Sequence, residues 1–546
     1  RAIEIDDKYA YAYNELGRTY LILKEYEKAA DCFQKTVESD PEHKWGFANL
    51  GTAYYNLKEY DKAVENYQRA IEIDDKYTYA YNELGRIYFT LKEYEKAANR
   101  FQKAVETDPG YKWGFYNLGG TYYNLKEYDK AVENYQKAIE VDDKYTDAYH
   151  DLGRVYLTLK EYEKAADCFQ KTVESDPEHK WGFANMGTAY HNLKEYDKAV
   201  ENCQKAIEID DKYTYAYHEL GRVYFTLKKY EKAADCFQKA VETDPRYKWS
   251  FGGLGTAYRN LRKYDKAVEN CQKAIEIDDK YIFAYEILGL VYINFKTYQK
   301  AIKCYQKILK INPEYISAFS SIGNIYRQHK KYYKAIEYCQ KAIIIKEDHH
   351  RAYFILGLVY FDLKQYKKAI EYYSKSIEIY PESKKWVYGH IGNAYRKLKE
   401  YGRAIDYCQK TIAIDDKQSY AYHALGLIYF DLKEYKKAIE YHHKAIKTDS
   451  AYRSAFTGLG KTYHKLREYN KAIENYNKAI EADGNATEAY KGLAWTYSHM
   501  FVKTPLKLTK NLLESLLDTY QIRNTFHKFK QHIKRIIIFW VERHLS

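Results

Sequence analysis

The 546-residue sequence is poor in motifs that carry chemistry. It has no phosphate-cradling Gly-rich loop, no GxSxG and no HExxH, so phosphoryl, acyl and zinc-peptidase chemistry lack their residues. Eight cysteines occur without CxxC or Cys/His spacing, and no metal site or cofactor is expected. His349-His350 and His442-His443 are adjacent pairs that point to different sides of a helix or lie in a turn. Asp-Asp-Lys stretches such as Asp74-Asp75-Lys76 lack the alternating ligands and closing Glu of a calcium loop. No catalytic residue is assigned, and the chain reads as non-enzymatic. No run of 18 apolar residues exists, which excludes a membrane-spanning helix.

Cys32, Cys168, Cys203, Cys236, Cys271, Cys304, Cys339 and Cys408 all fall at one of two adjacent positions in the second half of a repeat. They read as buried, reduced thiols acting as small hydrophobes, which implies a reducing compartment and a cytoplasmic location. Net charge is +12. From Phe501 onward there are nine Lys/Arg and three Asp/Glu, so half of the excess lies in the last 46 residues. The repeats are nearly balanced, and nucleic acid is not an expected partner. Membrane contact is expected only through residues 521–546.

What is present is a period. Gly17, Gly51, Gly85, Gly119 and their successors recur every 34 residues to Gly357. After a one-residue slip near Lys384-Lys385 they continue as Gly392, Gly426 and Gly460, and a fifteenth copy carries Ala494. A tyrosine follows each three residues later, from Tyr20 to Tyr497. Such a period means a stacked array in which each unit touches its neighbours. Tyr13, Leu16, Gly17 and Tyr20 share one helical face, and Tyr26, Ala29, Ala30, Phe33 and Val37 share another. Lys24-Glu25 separates them and Asp40-Pro41 ends the second. Each repeat is therefore a helix–turn–helix hairpin.

Tyr13, Leu16-Gly17, Tyr20, Ala29, Phe33, Thr36 and Pro41 resemble the tetratricopeptide repeat pattern, and about fifteen copies carry it. The resemblance implies an all-α, right-handed superhelical solenoid of antiparallel helix pairs whose first helices line a concave, protein-binding groove. Its chaperone-binding members hold a C-terminal carboxylate with a lysine clamp. Here that lysine position reads Asn14, Ala48, Asn82, Tyr116 and His150, so the clamp is absent from these five repeats. A glycosyltransferase-linked subclass has asparagines before the Leu-Gly pair. Asn49, Asn117 and Asn185 match it, whereas Glu15, Glu83 and Asp151 interrupt it.

A second period of 68 residues relates Pro41, Pro109, Pro177, Pro245, Pro313 and Pro381. Residues 10–281 read as four near-identical double repeats and 282–500 as divergent repeats. Residues 1–9 repeat Arg69 to Tyr77 letter for letter and read as the remnant of a preceding helix in a longer protein. Residues 501–520 read as a capping helix, started by Thr504 and Pro505, and 521–546 as a basic amphipathic helix.

The resemblance places Arg18, Arg86, Arg154 and Arg222 in the groove, one on every second repeat. Trp45, Trp113, Trp181 and Trp249 lie on the intervening helices, with Asn56, Asn124, Asn192 and Asn260 beyond them. Arginine and tryptophan often dominate binding surfaces. Two readings stay open: a periodic site for an extended or helical segment with acidic and apolar residues, or Trp–Arg stacking that binds nothing. Past Ile282 the arginine position becomes Leu290, Leu358 and Leu427, with Phe361 and Phe430 one turn on. That is either an apolar binding stretch or tighter packing. The expected function is a non-enzymatic scaffold for protein or peptide segments. The alternatives are the regulatory array of a larger transferase or kinase, and a self-assembling array.

Overall fold

The computed structural model describes residues 9–482 and 486–501. The expected segments 1–9 (apart from Tyr9), 501–520 (apart from Phe501) and 521–546 lie outside the described residues. Among the described residues there are 29 α-helices, one short 3-10 turn and no strand. First helices such as Lys44–Asn56 have 13 residues and second helices such as Tyr60–Ile73 have 14. A division falls between Val291 and Tyr292, and each unit is an array of antiparallel helix pairs.

The apolar positions of three consecutive helices make one core. Ala48 comes from Lys44–Asn56, Ala63, Tyr67 and Ala70 from Tyr60–Ile73, and Ala80, Leu84 and Ile87 from Thr78–Thr90. Burying a ring such as Tyr67, 1% exposed, contributes about 2–3 kcal/mol. Because every core is shared with the next repeat, one repeat alone cannot bury its own face.

The recurring glycine is the seat of a ring. A Cβ on Gly51 would lie 2.9 Å from Tyr67 Cδ2 and Cε2. The ring is often gripped from both sides: Phe237 touches Gly221 and Gly253, His442 touches Gly426 and Gly458, and Tyr476 touches Gly460 and Gly492. Cys203, Cys271, Cys339 and Cys408 occupy the same seat, opposite Gly187, Gly255, Gly323 and Gly392, and are fully buried. Cys32, Cys168, Cys236 and Cys304, one residue earlier, are buried or half-buried free thiols. Burial pushes the thiols of Cys168 and Cys236 up to about 12, so they stay protonated and unreactive at neutral pH.

The turn inside each hairpin is a single left-handed residue. Fourteen residues from Lys24 (φ 60°) to Arg467 (φ 65°) adopt it, and all are Lys or Arg. Glycine suits this backbone better by roughly 1 kcal/mol, while a cation suits the carbonyl end of the helix it terminates. Lys126→Gly is therefore expected to stabilise its hairpin by about 0.5–1 kcal/mol, the backbone gain exceeding the lost charge–dipole attraction. Hydrogen exchange of Lys112–Asn124 and Tyr128–Val141 would read this as slower opening; faster opening would contradict it.

Second helices end at an extended residue. Asp74 (φ −138°, ψ 101°) has the conformation that Asp40 (φ −139°, ψ 93°) adopts before Pro41, so the helix ends the same way with or without the proline. Asp74 Oδ1 accepts from Lys76 N at 3.0 Å and its Oδ2 accepts from Lys44 Nζ. The Lys44 hydrogen bond, then that from Lys76, holds its carboxyl below the usual range. The aspartates are thus helix-end residues that also tie one repeat's first helix to its last turn. Lys112–Asp142, Lys180–Asp210 and Lys248–Asp278 repeat the tie at 2.5 Å each. At the slip, the turn Pro381–Ser383 becomes 3-10 and the next helix, Lys384–Lys397, gains one residue.

Candidate binding groove

The arginines that recur every 68 residues are not free. Arg18 donates to Glu15 at 3.0 Å, Arg86 to Glu83 at 2.7 Å, Arg154 to Asp151 at 3.0 Å and Arg222 to Glu219 at 2.7 Å. Each acid sits three residues earlier on the same helix, and Glu83 and Glu219 are only 8% and 3% exposed. The guanidinium is therefore the counterion of a carboxylate that could not otherwise be buried. Beside the two open readings, a ligand site or stacking on tryptophan, the arginines thus have a partner in an acid of their own helix. The acids that break the asparagine pattern are the arginines' partners.

Arg222→Ala is accordingly expected to destabilise its repeat by about 2 kcal/mol, because Glu219 keeps only Thr188 Oγ1, at 3.2 Å, as a donor. Removing both charges with Glu219→Gln/Arg222→Gln should cost less than Arg222→Ala alone. Hydrogen exchange in Thr214–Thr226 reads the difference, and an equal or larger loss in the double variant would contradict it.

A polar ladder links the first helices. Asn49 Nδ2 donates to Asn14 Oδ1 and Asn117 Nδ2 to Asn82 Oδ1, both at 2.9 Å. Asn82 in turn donates to Glu83 at 3.0 Å. In the next repeat pair Asn185 meets His150 at 3.0 Å. The Asp151 carboxylate also accepts from Tyr116 OH at 2.8 Å. Burial would raise the Asp151 pKa, but hydrogen bonds from His150 and Tyr116 and the charge of Arg154 bring it below the usual value.

The expected amide set behaves differently. Asn56, Asn124 and Asn192 each donate to the carbonyl four residues back in their own helix at 2.8 Å, as does Asn260. Each amide spends one N–H on its own helix and keeps its second N–H and its oxygen for other partners. The indoles of Trp45, Trp113, Trp181 and Trp249 are about half exposed. Each has the preceding lysine near its ring, at 4.9–5.0 Å. Arg18, Arg86, Arg154 and Arg222 do not stack on these tryptophans. Arg86 and Arg154 lie 5.7 Å from the rings of Tyr55 and Tyr123 instead.

One cleft of about 370 Å³ opens in the first unit. It brings together Arg86, Arg154 and Asn124 with Tyr55, Tyr123 and Gly120. The tryptophans are not among its lining residues. Gly120 sits where the other double repeats have Thr52, Thr188 and Thr256. Thr52 fills its place and meets Tyr67 OH at 2.8 Å. At Gly120 that side chain is missing and the nearest atom to a built Cβ is Tyr135 OH, 3.4 Å away. Arg86 and Arg154 keep nearly half of their side-chain surface exposed beside it.

In the second unit Leu358 and Phe361 pack against the core cluster of Ala369, Tyr373, Ile377, Val387 and Ile391. Leu290, on the helix Ile282–Asn294, is half-buried. Leu427 and Phe430 line a cleft with Arg396, Lys397, Arg453 and Lys461. An aliphatic groove is therefore not what surrounds them: the lost arginine position is replaced by cations from neighbouring helices. Arg396 bridges to Asp431 at 2.5 Å and Arg327 to Asp362 at 2.8 Å, a pairing across 35 residues that the sequence reading missed. Its signal is the Arg-to-Asp spacing, repeated after one double repeat.

Among the described residues no helix is long and apolar enough to cross a membrane, and no group of three His, Cys, Asp or Glu side chains is placed to hold a metal. The chain is similar to solved repeat arrays. These include the APC/C hetero-tetramer Cut9-Hcn1, at 16% identity over 83% of this chain and 96% of that one, with a TM-score of 0.42. They also include YrrB, a TPR protein with an unusual peptide-binding site, at 28% identity over 35% of this chain and 97% of that one, TM-score 0.32. The MamA protein matches at 26% identity over 32% of this chain and 94% of that one, TM-score 0.30. No curated protein matches. Family models described as Tetratricopeptide repeat match residues 45–109, 113–178, 181–246 and 417–485. Others of that description match 10–43, 249–281, 316–349 and 350–383, and 284–315 and 387–418. With helix pairs, glycine seats and family matches running through most of its length, the chain belongs to the tetratricopeptide repeat family.

Proposed function

We propose that this chain is a non-enzymatic scaffold that binds peptide segments carrying acidic and apolar residues, and that the first unit receives them at Gly120. The carrying observation is the cleft itself: a position filled by threonine in three double repeats is empty in the fourth, between two half-exposed guanidiniums. Arginine can fork a carboxylate with donors that its intrahelical acid does not use. Tyr55, Tyr123 and Phe89 supply apolar walls for a neighbouring side chain. The cleft carries two cations against one lining carboxylate, Asp151, so binding should weaken as salt rises.

The test uses the full chain and a labelled peptide of alternating Glu and Leu. Hydrogen exchange is read with and without saturating peptide. Protection is expected in Thr78–Thr90, Lys112–Asn124 and Thr146–Leu159. Gly120→Thr restores the side chain the other repeats carry, so it should leave the fold intact, remove that protection and weaken binding about tenfold at this cleft. Unchanged protection in Gly120→Thr, or none in these helices in the parent chain, would refute the assignment.

A further inference from the structure

The net charge of +12 is unevenly spread. Residues 296–345, in the second unit, hold ten Lys/Arg against two acids, Glu314 and Glu337. With the excess in the last 46 residues, that leaves the rest of the chain slightly acidic. Among the described second helices, Tyr298–Ile311 alone has no acid. Its Lys300, Lys303, Lys307 and Lys310 follow steps of three, four and three, so they share one side, turned away from the buried Ala301, Tyr305 and Ile308. The stripe is about 15 Å long. The next second helix, Tyr332–Ile345, continues the charge with Lys330, Lys331 and Lys334, all exposed. Arg327 is taken by Asp362 and Lys341 by Glu337; the other eight cations have no carboxylate within ion-pair distance among the described residues.

Two large apolar side chains stand among these lysines. Tyr333 is 91% exposed and Ile344 82%. They are eleven residues apart, three helical turns, so they share the side opposite the buried Ala335, Cys339 and Ala342, about 16 Å from one another. Packing does not ask for them. Each of the eight repeats in residues 10–281 carries Asp or Glu at the position of Tyr333 and Glu at that of Ile344, as in Asp265 and Glu276. Lys303 and Lys310 likewise stand where the preceding repeat has Glu269 and Glu276. In two consecutive repeats, outward acids have thus become cations and apolar groups.

We propose that the outward sides of Tyr298–Ile311 and Tyr332–Ile345 are a docking surface for an anionic lipid bilayer. The lysines meet the headgroups, each adding to the attraction of a negative leaflet. Tyr333 and Ile344 enter the headgroup boundary, where a ring with a polar tip and an aliphatic side chain both lose contact with water. A charged patch and an apolar anchor together hold a protein where either alone does so weakly. A single-stranded nucleic acid would call for several exposed base-stacking rings, and Tyr333 is the one aromatic side chain of Tyr332–Ile345 that is fully presented. Neither cleft described above is lined by any of these residues, so the surface owes nothing to the groove.

The test uses the full chain and co-sedimentation with vesicles of phosphatidylcholine, alone or with about 30% phosphatidylserine. The chain should bind the vesicles that contain phosphatidylserine, and less tightly as salt rises. Lys303→Glu/Lys310→Glu and Tyr333→Glu/Ile344→Glu put back acids that other repeats carry at these positions, so circular dichroism should show the same helix content and melting. Each double variant should weaken vesicle binding by about tenfold or more. Lys436→Glu/Lys447→Glu makes the same change at the equivalent exposed positions of a later repeat and should stay within about twofold of the parent chain. Binding that survives either of the first two variants overturns the proposal and moves the contact elsewhere in the chain. So do an equal loss in the control, equal binding to vesicles without phosphatidylserine, and no vesicle binding at all. Labelled oligouridylate that binds more tightly than the vesicles, and is lost in the same variants, would make this a nucleic-acid surface and overturn it too.

Discussion

Gly357→Ala is expected to destabilise its repeat by about 3 kcal/mol, among the largest effects of any single methyl group in this chain. A Cβ at Gly357 would stand 2.4 Å from Tyr373 Cδ1 and 2.5 Å from Cε1. Tyr373 is fully buried in the core with Ala369, Ile377, Val387 and Ile391, so its ring cannot withdraw without displacing them. Hydrogen exchange of His350–Asp362 and Tyr366–Ile379 should quicken together, because the contact joins those two helices. Gly402→Ala is the control. Nothing lies within 4 Å of its Cβ, so the substitution should stabilise by about 0.5–1 kcal/mol through helix propensity alone. Equal effects at the two glycines would show that backbone freedom, and not close approach, explains the periodic glycine.

Lowering the pH from 7 to 5 is expected to weaken the second unit markedly through its histidines, the buried His423–His442 pair together with His390, which burial pushes down to about 4. His423 Nδ1 and His442 Nδ1 are 3.3 Å apart and both rings are buried. Burial first, then Arg396 and Lys461, pushes the His423 pKa down to about 3. Burial first, then His423 and His443, pushes that of His442 well below the ordinary value. The native state therefore holds both rings neutral, while the unfolded chain takes up protons below pH 6.5. Stability is retained above that value and lost as pH falls below it, by about 2 kcal/mol at pH 5 for His423 alone. His442→Tyr should remove the His442 share of this acid sensitivity and leave that of His423. Tyr476 already occupies the equivalent seat between Gly460 and Gly492, so the substitution should be tolerated. Denaturant unfolding at pH 7 and pH 5, followed for the parent chain and His442→Tyr, reads the effect. An unchanged pH slope in the variant would contradict the assignment.

Much of this architecture was legible in the letters because packing repeats them. The 34-residue spacing of Leu-Gly and Tyr gives the helix pair, and the small residue opposite a ring or cysteine gives their close approach. The left-handed lysines were not legible. Lys24 announces only a break, since it is the tight return of the chain that imposes φ 60° on whatever residue stands there. The role of Arg86 was half legible. Its spacing marked it, but Glu83 was read as an interruption of another pattern and not as the acid that a guanidinium must accompany into the interior. Asn124 shows a further limit, because its rotamer folds the amide back onto its own helix and leaves one N–H and the oxygen for a ligand. Leu427 pointed to an apolar groove because the sequence shows one helix at a time, whereas Lys397 and Lys461 reach that wall from other helices.

In the proposed function the groove arginines serve twice, as counterions of their own helix and as contacts for an acidic segment. Single arginine truncations cannot separate the two roles, because each strands a carboxylate. The direct measurement is affinity of the Glu–Leu peptide for a chain in which both charges are removed at each site, Glu83→Gln/Arg86→Gln together with Asp151→Asn/Arg154→Gln. Hydrogen exchange of Thr78–Thr90 and Thr146–Leu159 is recorded on the same samples. Exchange close to that of the parent chain is expected, with loss of the peptide's protection of those helices. Peptide protection that survives the fourfold neutralisation, on helices that remain as stable as before, would contradict it.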